Sequence, residues 1–372
     1  MDIRKNILFL ITPLFFLVAC SSDEQIVENI ISPSQTKDIY EIKQPENFNV
    51  SRGLIMRNIN NSLNVEEIEK GLMDLSIEHF STNKFYMQEG QYLDENTISQ
   101  WLVRKSKEGF GLNPTIKNST GDVLEDEKNN PKILSHVLEQ NFINKENGNV
   151  EGISLAISLN EFYDIRVNVE GLVYTDQVKV DSNDDNVNDV ENYGKEIAEI
   201  IIKDIRNNKE IPNVPIYLTL YQESIENSIL PGIFLTETYI PEGDRIDEWT
   251  DIDIKNYTFP SDSLYSLDKE THDKLLILKE DIHDGFEHLN PKIVGKLRYE
   301  NGQLIDLKID VNVPLINDPE LIGLLQLTAG KFNTVLVNYL PIPITITITD
   351  QKQDVGIIIW DPIKKQLYAT PI

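Results

Sequence analysis

The chain has 372 residues, enough for one large domain or two ordinary ones. Its 61 acidic residues outnumber its 34 basic residues, and the formal net charge is −27. A nucleic-acid binder needs a positively charged face for the phosphate backbone, so this balance argues against that class of function. The single cysteine excludes intrachain disulfides and cysteine-rich metal sites.

The N-terminus has the parts of a lipoprotein signal. Arg4 and Lys5 precede an apolar run over residues 7–17. That run is shorter than the roughly 20 apolar residues needed to span a bilayer, but it has the length of a signal-peptide core. It ends in a lipobox formed by Leu17, Val18, Ala19 and Cys20.

The lone cysteine is predicted to carry a lipid anchor. Cleavage before Cys20 would leave this residue first in the mature chain, with a diacylglyceryl group on its sulfur. Two acyl chains hold a protein on a membrane stably, whereas one chain binds only marginally. We therefore expect a lipid-anchored protein on the extracytoplasmic face of the cell membrane, handled by lipoprotein-processing enzymes. An ordinary signal peptide followed by a chance cysteine is the alternative, and the sequence names no protein partner.

Composition divides the chain into four predicted parts. Polar residues with little periodicity follow the cysteine and indicate a flexible tether. The parts are a signal peptide (1–19), the lipidated Cys20 with its tether (20–46), an N-terminal lobe (47–241) and a C-terminal lobe (242–372).

The first elements are predicted from their caps. Asn64 is expected to cap a helix, with Glu67 as the reciprocal partner of a capping box. Asp94 is expected to cap a second short helix. Residues 105–130 are predicted to form a long loop, and residues 131–143 a helix opened by a proline.

Strands and helices then alternate in a pattern that occurs twice. Asn301 and Gly302 form a strong hairpin signal between two apolar segments. The predicted strands cover 152–160, 162–174, 214–222, 229–240, 292–300, 303–313, 343–350 and 355–361, and the main helices cover 193–205, 269–288 and 319–335. The repeated order αββαββ favours an α+β fold of two similar lobes, with largely antiparallel sheets, over a doubly wound parallel sheet.

The search for catalytic motifs finds none. The chain has no G-x-S-x-G nucleophile elbow, Walker loop or dinucleotide-binding motif. Ser154 lies in the closest approach to such an elbow, but we interpret it as a strand residue. We therefore expect no catalytic residue, no cofactor and no enzymatic activity.

Two segments contain residue types that can bind metal ions. Residues 283–288 hold two histidines and two acids near a helix end, which more simply indicates a charged helix terminus. Residues 181–191 are rich in oxygen ligands, but they lack the turn glycine and the glutamate at the twelfth position of a calcium loop. A solvated acidic loop is the preferred interpretation, so no metal site is predicted.

A resemblance covers most of the chain. The residues that carry it lie at 51–102, 111–114, 132–142, 152–163, 211–234 and 247–249. They resemble the CamS family of sex-pheromone lipoproteins from Gram-positive bacteria. The resemblance implies an α+β extracytoplasmic lipoprotein and gives no catalytic residues to carry over.

In that family, the peptide before the lipidated cysteine can be released as a signal for plasmid transfer. The corresponding residues here are Pro13, Leu14, Phe15, Phe16, Leu17, Val18 and Ala19. Phe15 and Leu17 keep the family's pattern, whereas Pro13, Phe16 and Val18 depart from it. The resemblance therefore leaves two alternatives, an active pheromone-like peptide and an inert remnant of processing.

Three functions are compatible with these observations. The first is a non-enzymatic lipoprotein whose precursor supplies a signalling peptide. The second is a surface protein that binds a ligand or peptide, which a deep pocket with convergent polar groups would favour. The third is a cell-wall hydrolase, for which Asp247, Glu248 and Trp249 offer a sugar-cleft pattern of low specificity.

Overall fold

The computed structural model describes residues 39–45, 52–107, 111–180, 190–337 and 339–372. The predicted lipobox, the peptide 13–19 and most of the acidic segment 181–191 lie outside these residues. Residues 39–45 lie along the first strand of the fold: the Lys43 N–H donates to the Met87 carbonyl at 2.8 Å, and the Tyr40 hydroxyl donates to the Phe80 carbonyl.

Helices and strands mix throughout the first half of the described chain. In order they are α1 (Arg52–Asn58), α2 (Ser62–Ser76), β1 (Phe85–Glu89), α3 (Glu95–Leu102), α4 (Val123–Asn129), β2 (Leu134–Asn144), β3 (Val150–Leu159), β4 (Phe162–Val169), β5 (Leu172–Lys179), α5 (Val190–Asn207), β6 (Ile216–Gln222), β7 (Ile233–Ile240) and β8 (Thr250–Asp251).

The second half follows a similar plan. Its elements are β9 (Ile254–Phe259), α6 (Asp262–Leu267), α7 (Lys269–Gly285), a short 3-10 turn (Glu287–Leu289), β10 (Lys292–Glu300), β11 (Gln303–Val313), α8 (Asp318–Val335), β12 (Ile344–Asp350), β13 (Gln353–Asp361) and β14 (Gln366–Pro371).

These strands form two large sheets of matching topology. The first has the order β1-β2-β3-β6-β7-β8 and the second the order β9-β10-β11-β12-β13-β14. In each sheet the central pair is parallel, β3 with β6 and β11 with β12, and every other pair is antiparallel. The predicted α+β class with largely antiparallel sheets is confirmed.

The order αββαββ occurs in both halves, as α4, β2, β3, α5, β6 and β7 in the first and as α7, β10, β11, α8, β12 and β13 in the second. The first copy is not made of the predicted segments, because α4 lies in the predicted loop 105–130 and β2 in the predicted helix 131–143. The first half also has the hairpin β4–β5, which forms a two-stranded sheet of its own between β3 and α5.

Each sheet packs its apolar residues against helices. The crossover helix α5 buries Ile197, Ile201 and Ile205 against the first sheet. Helix α8 does the same for the second sheet with Leu324 and Phe332. At roughly 25 cal/mol per Å² of buried apolar surface, these stripes contribute most of what holds the helices in place.

The predicted helix over 131–143 is wrong, because these residues form β2. The strand is buried almost throughout, since α1 and α2 contact it as well as α3. A strand covered on both faces has no polar alternation, so its apolar positions fit helical spacing equally well. The predicted loop 105–130 also holds a short helix, α4, capped by Asp122.

The predicted strand over 162–174 is two strands. The chain turns between β4 and β5 at Glu170 and Gly171, whose φ angles are 52° and 85°. The predicted hairpin at Asn301 and Gly302 is confirmed, with φ angles of 51° and 74° that asparagine and glycine tolerate well.

The predicted cap of the first long helix is wrong, whereas Asp94 caps α3 as predicted. Asn61 caps α2, and its side chain accepts the Leu63 N–H at 2.9 Å. Asn64 lies one turn inside the helix and is fully buried. Glu67 forms an ion pair with Arg298 on the second sheet instead of closing a capping box.

Asn64 fixes the loop between β6 and β7. Its Oδ1 accepts the N–H groups of Gly232 and Ser224 at 2.8 and 3.1 Å, together with the Tyr221 hydroxyl at 3.1 Å. Its Nδ2 donates to the Ser224 carbonyl at 2.9 Å. One buried amide thus satisfies several backbone groups of a loop far away in sequence.

We expect Asn64→Ala to lower the free energy of unfolding by about 3 kcal/mol, because it leaves these buried loop groups without partners. Urea unfolding followed by circular dichroism measures this loss. Glu66→Ala, an exposed position on the same helix, is the control and should change stability by less than about 0.5 kcal/mol. Equal effects of the two substitutions would contradict this role of Asn64.

Candidate functional site

The hairpin β4–β5 has no counterpart in the second half. There β11 ends at Val313 and α8 begins at Asp318, whereas 30 residues separate Leu159 from Val190 in the first half. The second half shows that this topology covers its sheet without such a hairpin. The hairpin is therefore an addition to this topology, and it forms one wall of a polar cleft.

The polar cleft has a volume of about 760 Å³. The end of α1, the hairpin and the loop after β6 surround it. Its lining combines amides, charged groups and aromatic rings, among them Arg57, Asn58, Asn60, Lys132, Ser135, Phe162, Tyr163, Asp164, Arg166 and Glu223. Its size is that of a small-molecule site.

A buried carboxyl group lies at the bottom of the polar cleft. Glu223 follows β6, is 8% exposed, and its N–H donates to the Leu159 carbonyl at 2.9 Å. The hydroxyls of Ser135 and Ser158 both donate to its Oε1, the latter at 2.6 Å. Burial raises the pKa of Glu223 to about 7, although these two hydrogen bonds favour the charged form.

Asp164 links the hairpin to α1. Its carboxylate accepts from the side-chain amides of Asn60 and Gln177, each at 2.6 Å. On the next strand, Asp176 pairs with Lys128 of α4 at 2.6 Å. The hairpin is therefore tied to helices on both sides, which fixes the cleft wall.

Three side chains of the polar cleft have donor groups that form no close contact with an acceptor. Lys132 is half-buried, and this burial lowers the pKa of its ammonium group, although the charge of Glu127 acts in the opposite direction. Neither Lys132 nor Arg166 forms an ion pair within 4 Å with any residue that the structure describes. The Nδ2 of Asn58 is buried and has no hydrogen-bond partner there.

A second cavity, of about 410 Å³, lies beside β2 and α2. His136 lines it, and burial lowers its pKa to about 4, so the ring is neutral at pH 7. Glu139 also lines it, and its carboxyl group accepts the N–H groups of residues 91–93. Burial raises the pKa of Glu139, as it does for Glu223, but the two carboxyl groups line different cavities.

The residues predicted from sequence are distributed as follows. Cys20, the lipobox and residues 13–19 lie outside the described residues. Ser154 is buried within β3, as predicted. Within the described ranges no group of three or more histidines, cysteines or acids could hold a metal ion, and no helix is both long and apolar enough to cross a membrane.

The sugar-cleft pattern does not coincide with either cavity. Asp247 is exposed and pairs with Arg245, and Trp249 packs partly against the core of the first sheet beside Lys195. Neither residue lines the polar cleft.

Sequence reasoning missed Glu223, Ser135, Ser158 and Lys132. Ser135 and Ser158 lie on neighbouring strands, and Glu223 follows the strand on the other side of β3. The only local signal was that these polar residues lie within or directly after apolar strands. That signal does not predict that Ser135, Ser158 and Glu223 are in contact.

The fold and the cleft define an α+β protein with two sheets of matching topology and a polar pocket on the first. The chain belongs to the CamS sex pheromone cAM373 precursor family, whose model matches residues 48–366. No curated protein sequence matches it.

Two solved structures share the fold. The sex pheromone precursor from Lactobacillus salivarius subsp. salivarius UCC118 is 23% identical with a TM-score of 0.77, covering 90% of this chain and 96% of that one. The C-terminal domain of the sex pheromone staph-cAM373 precursor from Staphylococcus aureus is 26% identical with a TM-score of 0.67, covering 85% of this chain and 98% of that one.

We expect the buried Glu223 to make stability depend on pH. Its raised pKa means that the folded state holds a proton between pH 4.5 and about 7 that the unfolded state has lost. Its favourable contribution is therefore full below pH 4.5 and is lost as pH rises through 7, by about 3 kcal/mol in total.

Glu223→Gln should remove this dependence, since glutamine keeps the shape and does not titrate. Urea unfolding at several pH values between 4 and 8 compares the variant with the wild type. Glu226→Gln, which changes an exposed carboxyl group on the same loop, is the control and should keep the wild-type slope. Identical slopes for wild type and Glu223→Gln would contradict the assignment.

Proposed function

We propose that the chain is the precursor of an extracytoplasmic lipoprotein, anchored to the cell membrane through diacylglyceryl-Cys20, and that residues 13–19 are released as an apolar peptide. The observation that carries this proposal is the position of Cys20, the only cysteine in the chain, directly after Leu17-Val18-Ala19. Membership of a family described as pheromone precursors supports the release of a peptide.

The folded part is proposed to have no enzymatic role. Paired carboxyl groups with separated pKa values mark glycoside hydrolysis. Among the described residues the carboxyl groups with a raised pKa are Glu139 and Glu223, and they line separate cavities. This separation argues against a wall hydrolase.

Cys20→Ser should release the protein from the membrane, because the hydroxyl cannot take the place of the thiol in lipidation. Cell fractionation with labelled palmitate measures both attachment and lipid incorporation. Ser21→Ala, one residue further on, is the matched control and should stay attached and labelled. Retention of an unlabelled Cys20→Ser protein on the membrane would overturn the anchor.

The released peptide should appear in the culture medium as PLFFLVA or a trimmed form, because signal cleavage leaves this segment at the end of the removed peptide. Mass spectrometry of medium from cells that make the protein detects it, and cells lacking the gene are the control. Its absence beside processed lipoprotein would remove the peptide from the proposal. Synthetic PLFFLVA added to plasmid-bearing donor cells should increase plasmid transfer if the peptide is a signal, and should have no effect if it is an inert remnant of processing.

A second candidate function is ligand binding by the folded part. The observation that favours it is the polar cleft, whose extra hairpin encloses a buried carboxyl group and unpaired donors. A thermal-shift screen with sugars, amines and carboxylates tests it. Asn60→Trp, which would fill the cleft from its rim, should abolish any stabilisation that a true cleft ligand gives.

A further inference from the structure

Two cations of the polar cleft form no close ion pair. Lys132 is half-buried and has no ion pair within 4 Å among the described residues, and the exposed Arg166 on β4 has none either. The nearest acidic influence is Glu127, which pairs with Arg104; its charge raises the pKa of Lys132, but the effect of burial is larger and lowers it. A partly desolvated ammonium group without a counter-ion in contact costs free energy, which a bound anion would offset.

The other open groups of the cleft are donors as well. The buried Nδ2 of Asn58 can only donate, and it has no partner in the described chain. The Oε1 of Glu223 is occupied by two serine hydroxyls, while its Oε2 receives no hydrogen bond from the described residues. When Glu223 is protonated, its hydroxyl is a third donor beside the ammonium and the amide.

Two of the acidic groups on the cleft walls are engaged, and a third, Glu226, is exposed. Asp164 accepts two amides, from α1 and from β5, and Asp176 pairs with Lys128. Arg57 is likewise neutralised, by Glu95 at 2.6 Å. Apart from Glu226 and the carboxyl group of Glu223, what the cleft offers an incoming molecule is therefore the ammonium group of Lys132, the guanidinium group of Arg166 and the free amide of Asn58.

From this arrangement we propose that the polar cleft binds a small polar molecule through its carboxylate, with Lys132 as the counter-ion and Asn58 and protonated Glu223 as hydrogen-bond donors. The proposal rests on the second candidate function above and names the ligand class of that site. The two oxygens of a carboxylate have several lone pairs and can accept hydrogen bonds from all three donors.

The same arrangement makes binding depend on pH. Ionised Glu223 would repel a carboxylate, so the protein binds it only while Glu223 holds its proton. The charged groups that line the cleft around Glu223 are Arg57 from α1, Lys132 before β2, Asp164 and Arg166 from β4, Asp176 from β5 and Glu226 from the loop after β6. With the pKa of Glu223 near 7, the binding-competent fraction falls about tenfold between pH 6 and pH 8.

The test is isothermal titration calorimetry of the folded mature chain with two probes, N-acetyl-alanyl-alanine and its C-terminal amide. Both have a blocked N-terminus, and they differ only in the carboxylate, which the amide lacks. At pH 6 the acid should bind at least tenfold more tightly than the amide. Lys132→Gln should lose at least tenfold in affinity for the acid, whereas Lys117→Gln, the same charge change at an exposed site, should not.

Glu223→Gln shows whether the pH dependence of binding comes from Glu223 or from Lys132. The wild type should lose about tenfold in affinity from pH 6 to pH 8, and Glu223→Gln should bind equally at both pH values. A variant that still follows the wild-type pH profile would assign the dependence to Lys132 and overturn the role of Glu223. Circular dichroism confirms that each variant is folded.

Two outcomes overturn the ligand class. One is equal affinity for the acid and the amide, and the other is no saturable binding of the acid at millimolar concentration. If sugars or amines stabilise the protein in the thermal-shift screen and Asn60→Trp abolishes this, ligand binding stands and the carboxylate proposal fails. If nothing binds, both fail, while the lipid anchor is tested separately by fractionation.

Discussion

The parallel pair at the centre of each sheet constrains the whole molecule. Neighbouring parallel strands cannot be joined by a tight turn, so the chain must cross over one face of the sheet. Here α5 and α8 make these crossings, and each covers the sheet that it spans. This requirement determines where the crossover helix of each half lies and which face of the sheet its core covers.

The crossing also explains where the molecule differs between its halves. A crossover connection is already long, so it tolerates added chain at little cost in loop entropy. In the first half this connection holds the hairpin β4–β5 before α5, and the hairpin encloses the polar cleft. The candidate site thus depends on a hairpin that the second half, with the same sheet topology, does not have.

Sequence patterns predicted the elements that have one polar and one apolar face. Helices α5, α7 and α8 show helical spacing because one side meets solvent, and the turn at Asn301 and Gly302 needs its residue types. Strand β2 lacked such a signal, since burial on both faces leaves no alternation. Short elements such as β1 and α4 offer too few residues for a period to show.

The candidate site was less accessible to sequence reasoning than the fold. Its floor combines Ser135, Ser158 and Glu223, which meet only once β2, β3 and β6 are placed side by side. The pairing of β3 with β6 depends on a parallel crossing that the predicted hairpins did not include. Asn64 was misassigned for a similar reason, because its partners are about 160 residues away.

If the protein is anchored at Cys20, as proposed above, the contact of residues 39–45 with β1 limits the distance between the anchor and the folded part. For a chain held at Cys20, at most 18 residues separate the lipidated cysteine from Ile39, where the described unit begins. Fully stretched, 18 residues extend about 65 Å, so the folded part of such an anchored protein would stay in a layer of about that thickness next to the bilayer. Its own negative charge would keep it from lying flat on anionic headgroups within that layer.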